Sequence, residues 1–238
     1  MSMIMPPVLP LKVLSVDTST ARGSVALLEG REVRAELRLF SPETHSARLL
    51  RSIEFLLESA GWKLSDLNLV AVGIGPGSFT GIRIGVSTAL GLAQTLLIPF
   101  AGVSGLEVLA HQVSYLQGRV GVVMDAQRSQ VYYGEYLNAH GRIREARKPS
   151  VWHPADLRRK LGRRRLFLTG DASVDQVTGA AYSESGWPRV VPSDLFLAAG
   201  IGKLALARKR TWRTGEFLSC EPVYIRPPDA IRTRIGKP

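Results

Sequence analysis

Apolar residues along the chain follow two periods, and the change from one to the other marks its elements. Lys12 to Val16, Ser24 to Glu29 and Val33 to Leu39 are apolar or alternating runs of strand length, with Gly30-Arg31 turning between the last two; together they predict an antiparallel meander. From Thr44 to Ala60 the period lengthens: Leu49, Leu50, Ile53, Leu56, Leu57 and Ala60 recur at helical spacing and Gly61 supplies the stop, predicting an amphipathic helix. A short buried strand is expected at Leu69 to Ile74. A Gly/Pro-rich loop, a helix from Phe79 to Leu96, a strand from Pro99 to Val103 and a helix from Leu106 to Tyr115 follow.

The second half begins the same way. Strands are expected at Val120 to Met124, Val131 to Leu137 and Ile143 to Lys148, then a helix at Pro154 to Leu161 and a strand at Leu166 to Thr169. Both halves therefore read β-β-β-α-β, an α/β protein in which one unit is duplicated and a cleft separates two lobes. Asp17 and Asp125 end the first strand of each half and stand at corresponding places. This layout resembles the actin, sugar-kinase and Hsp70 superfamily, the actin-like or ASKHA fold. It implies a first lobe over 12–110, completed by a helix from Ser193 to Arg210 that crosses back. A second lobe over 111–192 and a tail over 211–238, rich in proline and arginine, complete the division.

Composition narrows the setting. With 238 residues, 45% of them hydrophobic, the chain can bury a substantial core. Cys220 is the only cysteine, which excludes an internal disulfide, a CxxC pair and a cysteine-based zinc cluster and suits a reducing, cytoplasmic location. The start, Met1 to Pro7, lacks the basic residues and unbroken apolar stretch of a secretory signal. The longest apolar stretch, Ile82 to Phe100, is interrupted by Arg83, Gln94 and Pro99, so a soluble protein is expected. The net charge of +11 comes largely from local groups: Arg158-Arg159-Lys160 with Arg163 to Arg165, Arg208 to Arg210 with Arg213, and the tail. No aromatic residues alternate with these charges, which argues for weak, salt-sensitive phosphate contact rather than base reading.

The most specific stretch runs Gly73-Ile74-Gly75-Pro76-Gly77-Ser78-Phe79-Thr80-Gly81-Ile82-Arg83-Ile84-Gly85. Its glycines allow a sharp turn from strand to helix, and N–H groups at a helix start can hold an anion. No Gly-Lys-Ser/Thr follows, and Ser78 stands where a dinucleotide fingerprint has its third glycine. The stretch instead resembles the signature of the TsaB (YeaZ) family, together with Val16-Asp17-Thr18-Ser19, His45-Ser46, Met124-Asp125-Ala126, Val131-Tyr132 and Pro222-Val223-Tyr224-Ile225-Arg226. The resemblance implies a subunit that does no chemistry itself. Its implied partners are a TsaD-type catalytic subunit and a TsaE-type ATPase, which together make threonylcarbamoyladenosine, the modified base beside the tRNA anticodon. No cofactor is expected in the isolated chain, and Asp17, Ser19 and Asp125 are the candidates for any nucleotide contact. Gln127 and Gln130 depart from the charged residues usual in the family at those places.

Catalytic silence also follows from the residues themselves. Metal-dependent relatives such as TsaD carry His-x-x-x-His on the helix after the fifth strand, where i and i+4 imidazoles share a face; Gly105 and Leu109 occupy those places here. His45, His111, His140 and His153 have no ligand spacing, and no GxSxG elbow is present. A metal-dependent peptidase and a small-molecule kinase of the same superfamily are the rival readings. With no catalytic site, function falls to a surface. On the Phe79 to Leu96 helix only Arg83, Ser87 and Gln94 form a polar stripe, and the apolar arc is wider than one sheet covers. Gly81, Gly85, Ala89 and Ala93 form a small-residue row suited to close helix contact. Phe55 points away from the apolar face of the preceding helix. The expected partner interface is Leu49, Ile53, Arg83, Val86, Ser87 and Leu90, used by the TsaD-type subunit or, without it, by a homodimer; tRNA is met through the complex.

Overall fold

The computed structural model describes residues 10–40, 46–171, 173–179, 188–208, 212 and 225. In chain order these form β1 (Lys12–Asp17), β2 (Arg22–Glu29), β3 (Glu32–Phe40), α1 (Ser46–Ala60), β4 (Leu69–Gly73), α2 (Phe79–Leu96), β5 (Phe100–Val103) and α3 (Gly105–Gln112). The second half gives β6 (Gly118–Asp125), β7 (Val131–Ala139), β8 (Arg142–Trp152), α4 (Pro154–Leu161), β9 (Phe167–Gly170), α5 (Ser173–Thr178) and β10 (Arg189–Val190), and α6 (Ala198–Ala207) follows.

Two five-stranded sheets result, with orders β3-β2-β1-β4-β5 and β8-β7-β6-β9-β10. The orders match strand for strand, so the duplication visible in the sequence is also one of topology. In each sheet the first three strands pair antiparallel and the later ones join in parallel. The molecule is an actin-like, two-lobed α/β protein.

Strand alternation divides the core into three. Leu14 and Val16 of β1, Val25 and Leu27 of β2, and Val70 and Val72 of β4 point to one side, where they meet Leu49, Ile53, Leu56 and Leu57 of α1 and Ile82, Val86, Ala89 and Ala93 of α2. Val13, Ala26, Leu28, Leu69 and Ala71, one residue out of phase, face the opposite way onto α3 and α6, which also meet Val120, Val122 and Met124 of the second sheet. The far side of that sheet packs Val123, Val131 and Tyr133 against α4 and α5. Such two-sided burial, at roughly 1.5–3 kcal/mol for each large apolar side chain, explains why β1 and β4 read as nearly continuous apolar runs.

The helix expected over 193–210 begins only at Ala198, because Asp194 is tied down before it. Its carboxylate accepts from Arg38 Nη2 at 2.7 Å, while its backbone exchanges two 2.8 Å hydrogen bonds with the Gln112 side chain. The helix α6 then lies on the first sheet, with Gly202 against Leu28 and Ser15, and Arg208 closes on Glu107 of α3 through two short hydrogen bonds, at 2.5 and 2.6 Å. Among the described α-helices and strands, two short ones have no counterpart in the expected pattern: α5, six residues long, and β10, two residues long. Neither is long enough to show a period.

Candidate functional site

The turn after β1 sits beneath the glycine-rich stretch. Asp17, Thr18 and Ser19 are all buried, and Asp17 Oδ1 accepts the Ser19 N–H at 3.1 Å, which closes the turn. Thr18 Oγ1 donates to the Gly81 carbonyl at 2.7 Å, and the Ser19 carbonyl accepts the Ser78 N–H at 2.7 Å. Ser78 caps α2, its hydroxyl accepting from Gly81 N at 3.2 Å and its carbonyl from Ile82 N at 2.9 Å. Two of the helix-start N–H groups, those of Ser78 and Gly81, are thus engaged inside the chain, and the Ile82 N–H makes the first bond of the helix itself. A Cβ at Gly77 would strike the Ser19 carbonyl oxygen, one at Gly81 the Thr18 carbonyl oxygen, and one at Gly85 the Thr18 hydroxyl. The signature glycines let α2 ride directly on the 17–19 turn.

Asp125 holds the equivalent place in the second lobe but a different environment. It is exposed, its Oδ1 accepts the Gln127 N–H at 2.7 Å, and its own N–H donates to Asp171 Oδ2 at 2.8 Å. Gln127, Arg128 and Ser129 follow with left-handed φ values of 59°, 53° and 56°, a conformation costly for residues other than glycine. This turn had no signal in the sequence beyond the departures at Gln127 and Gln130. Gln130 closes it by accepting the Ala126 N–H at 3.0 Å.

Gly105 and Leu109 both lie on α3 and are buried. Gly105 donates its N–H to the Gly75 carbonyl at 2.9 Å, and Leu109 belongs to the core between the sheets. His111, on the same helix, has its pKa lowered chiefly by burial. Among the described residues no three His, Cys, Asp or Glu side chains gather where they could hold one metal ion. His45 lies outside the described residues, as do Pro222 to Tyr224 and Arg226.

The six expected interface residues separate into two groups. Leu49, Ile53 and Val86 are 4%, 2% and 6% exposed and belong to the core under α1 and α2. The small-residue row does not face outward either. Gly81 and Gly85 meet Thr18, and Ala89 and Ala93 are fully buried, so the chain's own sheet and turn take the place expected for a second helix. Arg83 and Ser87 are exposed and Leu90 is half-buried, with the Arg83 guanidinium 3.7 Å from the centre of the Phe79 ring. Gly91 continues this outer face, with open space where a Cβ would stand. On α1, Leu50 and Phe55 are 54% and 57% exposed.

A family model described as "TsaD: tRNA N6-adenosine threonylcarbamoyltransferase" matches residues 40–209. The chain is 31% identical to the "tRNA threonylcarbamoyladenosine biosynthesis protein TsaB" of Haemophilus influenzae over 91% of this chain and 94% of that protein. The chain belongs to the TsaB (YeaZ) family. The Escherichia coli TsaB is 38% identical over 60% of this chain, and the match spans just under two thirds of that relative's length, 65%. The solved structure of YeaZ from Pseudomonas aeruginosa superposes with a TM-score of 0.71 at 30% identity, covering 90% of this chain and 99% of that one. In this TsaB-family chain the glycine-rich signature is a strand-to-helix packing device, and the TsaD family model extends across both lobes.

Proposed function

We propose that this chain is a non-catalytic subunit in the formation of threonylcarbamoyladenosine on tRNA, docking onto a TsaD-type catalytic subunit and working with a TsaE-type ATPase. The TsaB relatives, tRNA threonylcarbamoyladenosine biosynthesis proteins by name, support the pathway. The observation that supports the non-catalytic reading is the close seating of α2 on the 17–19 turn, which engages the Ser78 and Gly81 N–H groups within the chain and fills the space beside Gly77, Gly81 and Gly85 with Thr18 and Ser19. Gly105 and Leu109 at the metal-ligand places support it further. Asp17 and Ser19 act as structural members of that turn, and Asp125 orders the loop after β6. Docking uses the outer face of α2, through Arg83, Ser87 and Leu90, beside the exposed Leu50 and Phe55 of α1. The same face pairs two copies when the partner is missing. Among the described residues no helix is long and apolar enough to cross a membrane; the cytoplasm, where tRNA is modified, is the proposed site of action.

Co-elution on gel filtration with a TsaD-type subunit, with elemental analysis and ATPase and peptidase assays on the isolated chain, tests the proposal. A stable complex is expected, with no stoichiometric metal and no turnover. Zinc or iron that survives chelator washing, with peptide hydrolysis, would establish the peptidase reading instead. Tight ATP binding with phosphoryl transfer by the chain alone would establish the kinase reading.

A further inference from the structure

The net charge is divided by lobe. Residues 12–110 hold nine basic and nine acidic residues, residues 111–192 thirteen and seven, and residues 193–238 nine and four, so the whole excess of +11 lies beyond residue 110. Part of it lines β8, the edge strand of the second sheet, where Arg142, Arg144, Arg147 and Lys148 are exposed. Charges on an edge strand also discourage strand pairing between molecules. That role does not account for Arg119 of β6 and Arg164 of the α4–β9 connection. Both converge on Glu135 of β7, a carboxylate whose side chain is 3% exposed. Arg119 Nη1 donates to it at 2.7 Å, Arg164 Nη2 and Nη1 at 2.9 and 3.0 Å, and the Tyr133 hydroxyl at 3.1 Å. The two arginine side chains nevertheless reach the surface, 49% and 36% exposed. One buried carboxylate therefore anchors two guanidiniums, leaves them with a net positive charge, and fixes their orientation before any ligand arrives. Arg147 stands opposite Glu135 in the β7–β8 register and joins this cluster to the β8 row.

We infer that this margin of the second lobe, β8 with the Arg119–Arg164 cluster, is a surface for the phosphodiester backbone of RNA; naming tRNA as the ligand rests on the function proposed above. The basic residues of β8 run from Arg142 to Lys148, a span of roughly 20 Å at 3.3 Å per residue, which suits an extended polyanion better than a single phosphate. Between them on β8 stand Ile143, Glu145 and Ala146; Ile143 is half-buried and packs against the core, so no fully exposed large apolar side chain is offered to a lipid layer and no aromatic platform to bases. The surface thus contacts backbone without reading sequence. It belongs to the second sheet, whereas α1 and α2 cover the first, so RNA and a protein partner occupy separate faces.

The test is tRNA binding by the full chain across a salt series, comparing wild type with Arg142→Gln/Arg144→Gln/Lys148→Gln and with a first-lobe control of equal charge change, Arg31→Gln/Arg34→Gln/Lys63→Gln. The β8 variant is expected to bind at least tenfold more weakly at 50 mM salt, and the slope of log affinity against log salt to flatten by about 2. The control keeps the wild-type affinity and slope. Equal loss in both variants, or no loss in the β8 variant, would overturn the inference. Tighter binding to phosphatidylserine vesicles than to tRNA, lost in the β8 variant, would assign the margin to an anionic membrane and also overturn it. Co-elution with the TsaD-type subunit is measured on the same variants. Retained co-elution with unchanged tRNA binding sinks the RNA surface alone, and lost co-elution of the wild type sinks the proposed function alone.

Discussion

A methyl group added at Gly81 would meet the Thr18 carbonyl oxygen, a backbone atom that cannot swing aside, whereas one added at Gly91 meets nothing within 4 Å. Gly81→Ala is therefore expected to destabilise the chain by about 1–3 kcal/mol through overpacking. Gly91→Ala, on the same helix, is expected to be neutral or stabilising by up to about 1 kcal/mol, and urea unfolding of the pair measures the contrast. Glu135 carries a second expectation at this scale. Burial pushes its pKa up, but hydrogen bonds from Arg164 and Arg119 outweigh burial and hold it below the ordinary value. The folded pKa thus lies below the unfolded one, near 4.3. Its stabilising contribution is fully present above the unfolded value and is lost as pH falls through the folded one. Glu135→Gln is expected to cost about 1–3 kcal/mol at pH 7 and to flatten the loss of stability on acidification below pH 4.5; an identical acid profile for variant and wild type would contradict the assignment. The glycine signature was legible in the sequence as a site of close approach. What approaches was not, because Thr18 lies 63 residues from Gly81 and meets it only when β1 and β4 pair.

At the scale of the element, hydrophobic period located α2 and α4 to the residue, because each is a single regular run with a defined stop: α2 ends on Leu97 in the left-handed region and α4 on Gly162. Period could not say which face of α2 turns inward. Two rows compete, one of large residues through Ile82 and Val86 and one of small residues through Gly81, Gly85 and Ala89, and the sheet accepts both at once because the glycines admit the 17–19 turn. Leu49, Ile53 and Val86 consequently belong to the core. Val86→Arg is expected to abolish the cooperative melt, since an unpaired buried charge costs several kcal/mol. Ser87→Glu/Gly91→Glu changes only exposed positions and is expected to melt as wild type while losing co-elution with the TsaD-type subunit. A folded double variant that still co-elutes would remove α2 from the docking face.

Across the whole molecule, the repeated β-β-β-α-β order in the sequence foretold two sheets of matching strand order. It did not foretell the shared core between them, where α3 and α6 are held together by Arg208 and Glu107 and pack against both sheets; contacts between residues about a hundred positions apart leave no local pattern. Corresponding positions in the two lobes have diverged in use, since Asp17 is buried under α2 while Asp125 is exposed at a left-handed turn. A duplicated frame with one closed and one open end suits a scaffold that presents surfaces to a protein and an RNA. The most direct measurement is mass-spectrometric detection of threonylcarbamoyladenosine on tRNA in a reaction reconstituted from TsaD-type and TsaE-type proteins, with and without this chain. Product is expected only when the chain is added, and none from the chain alone. Full product without it, or product from the chain in the absence of the TsaD-type subunit, would contradict the reading of this protein as a non-catalytic partner.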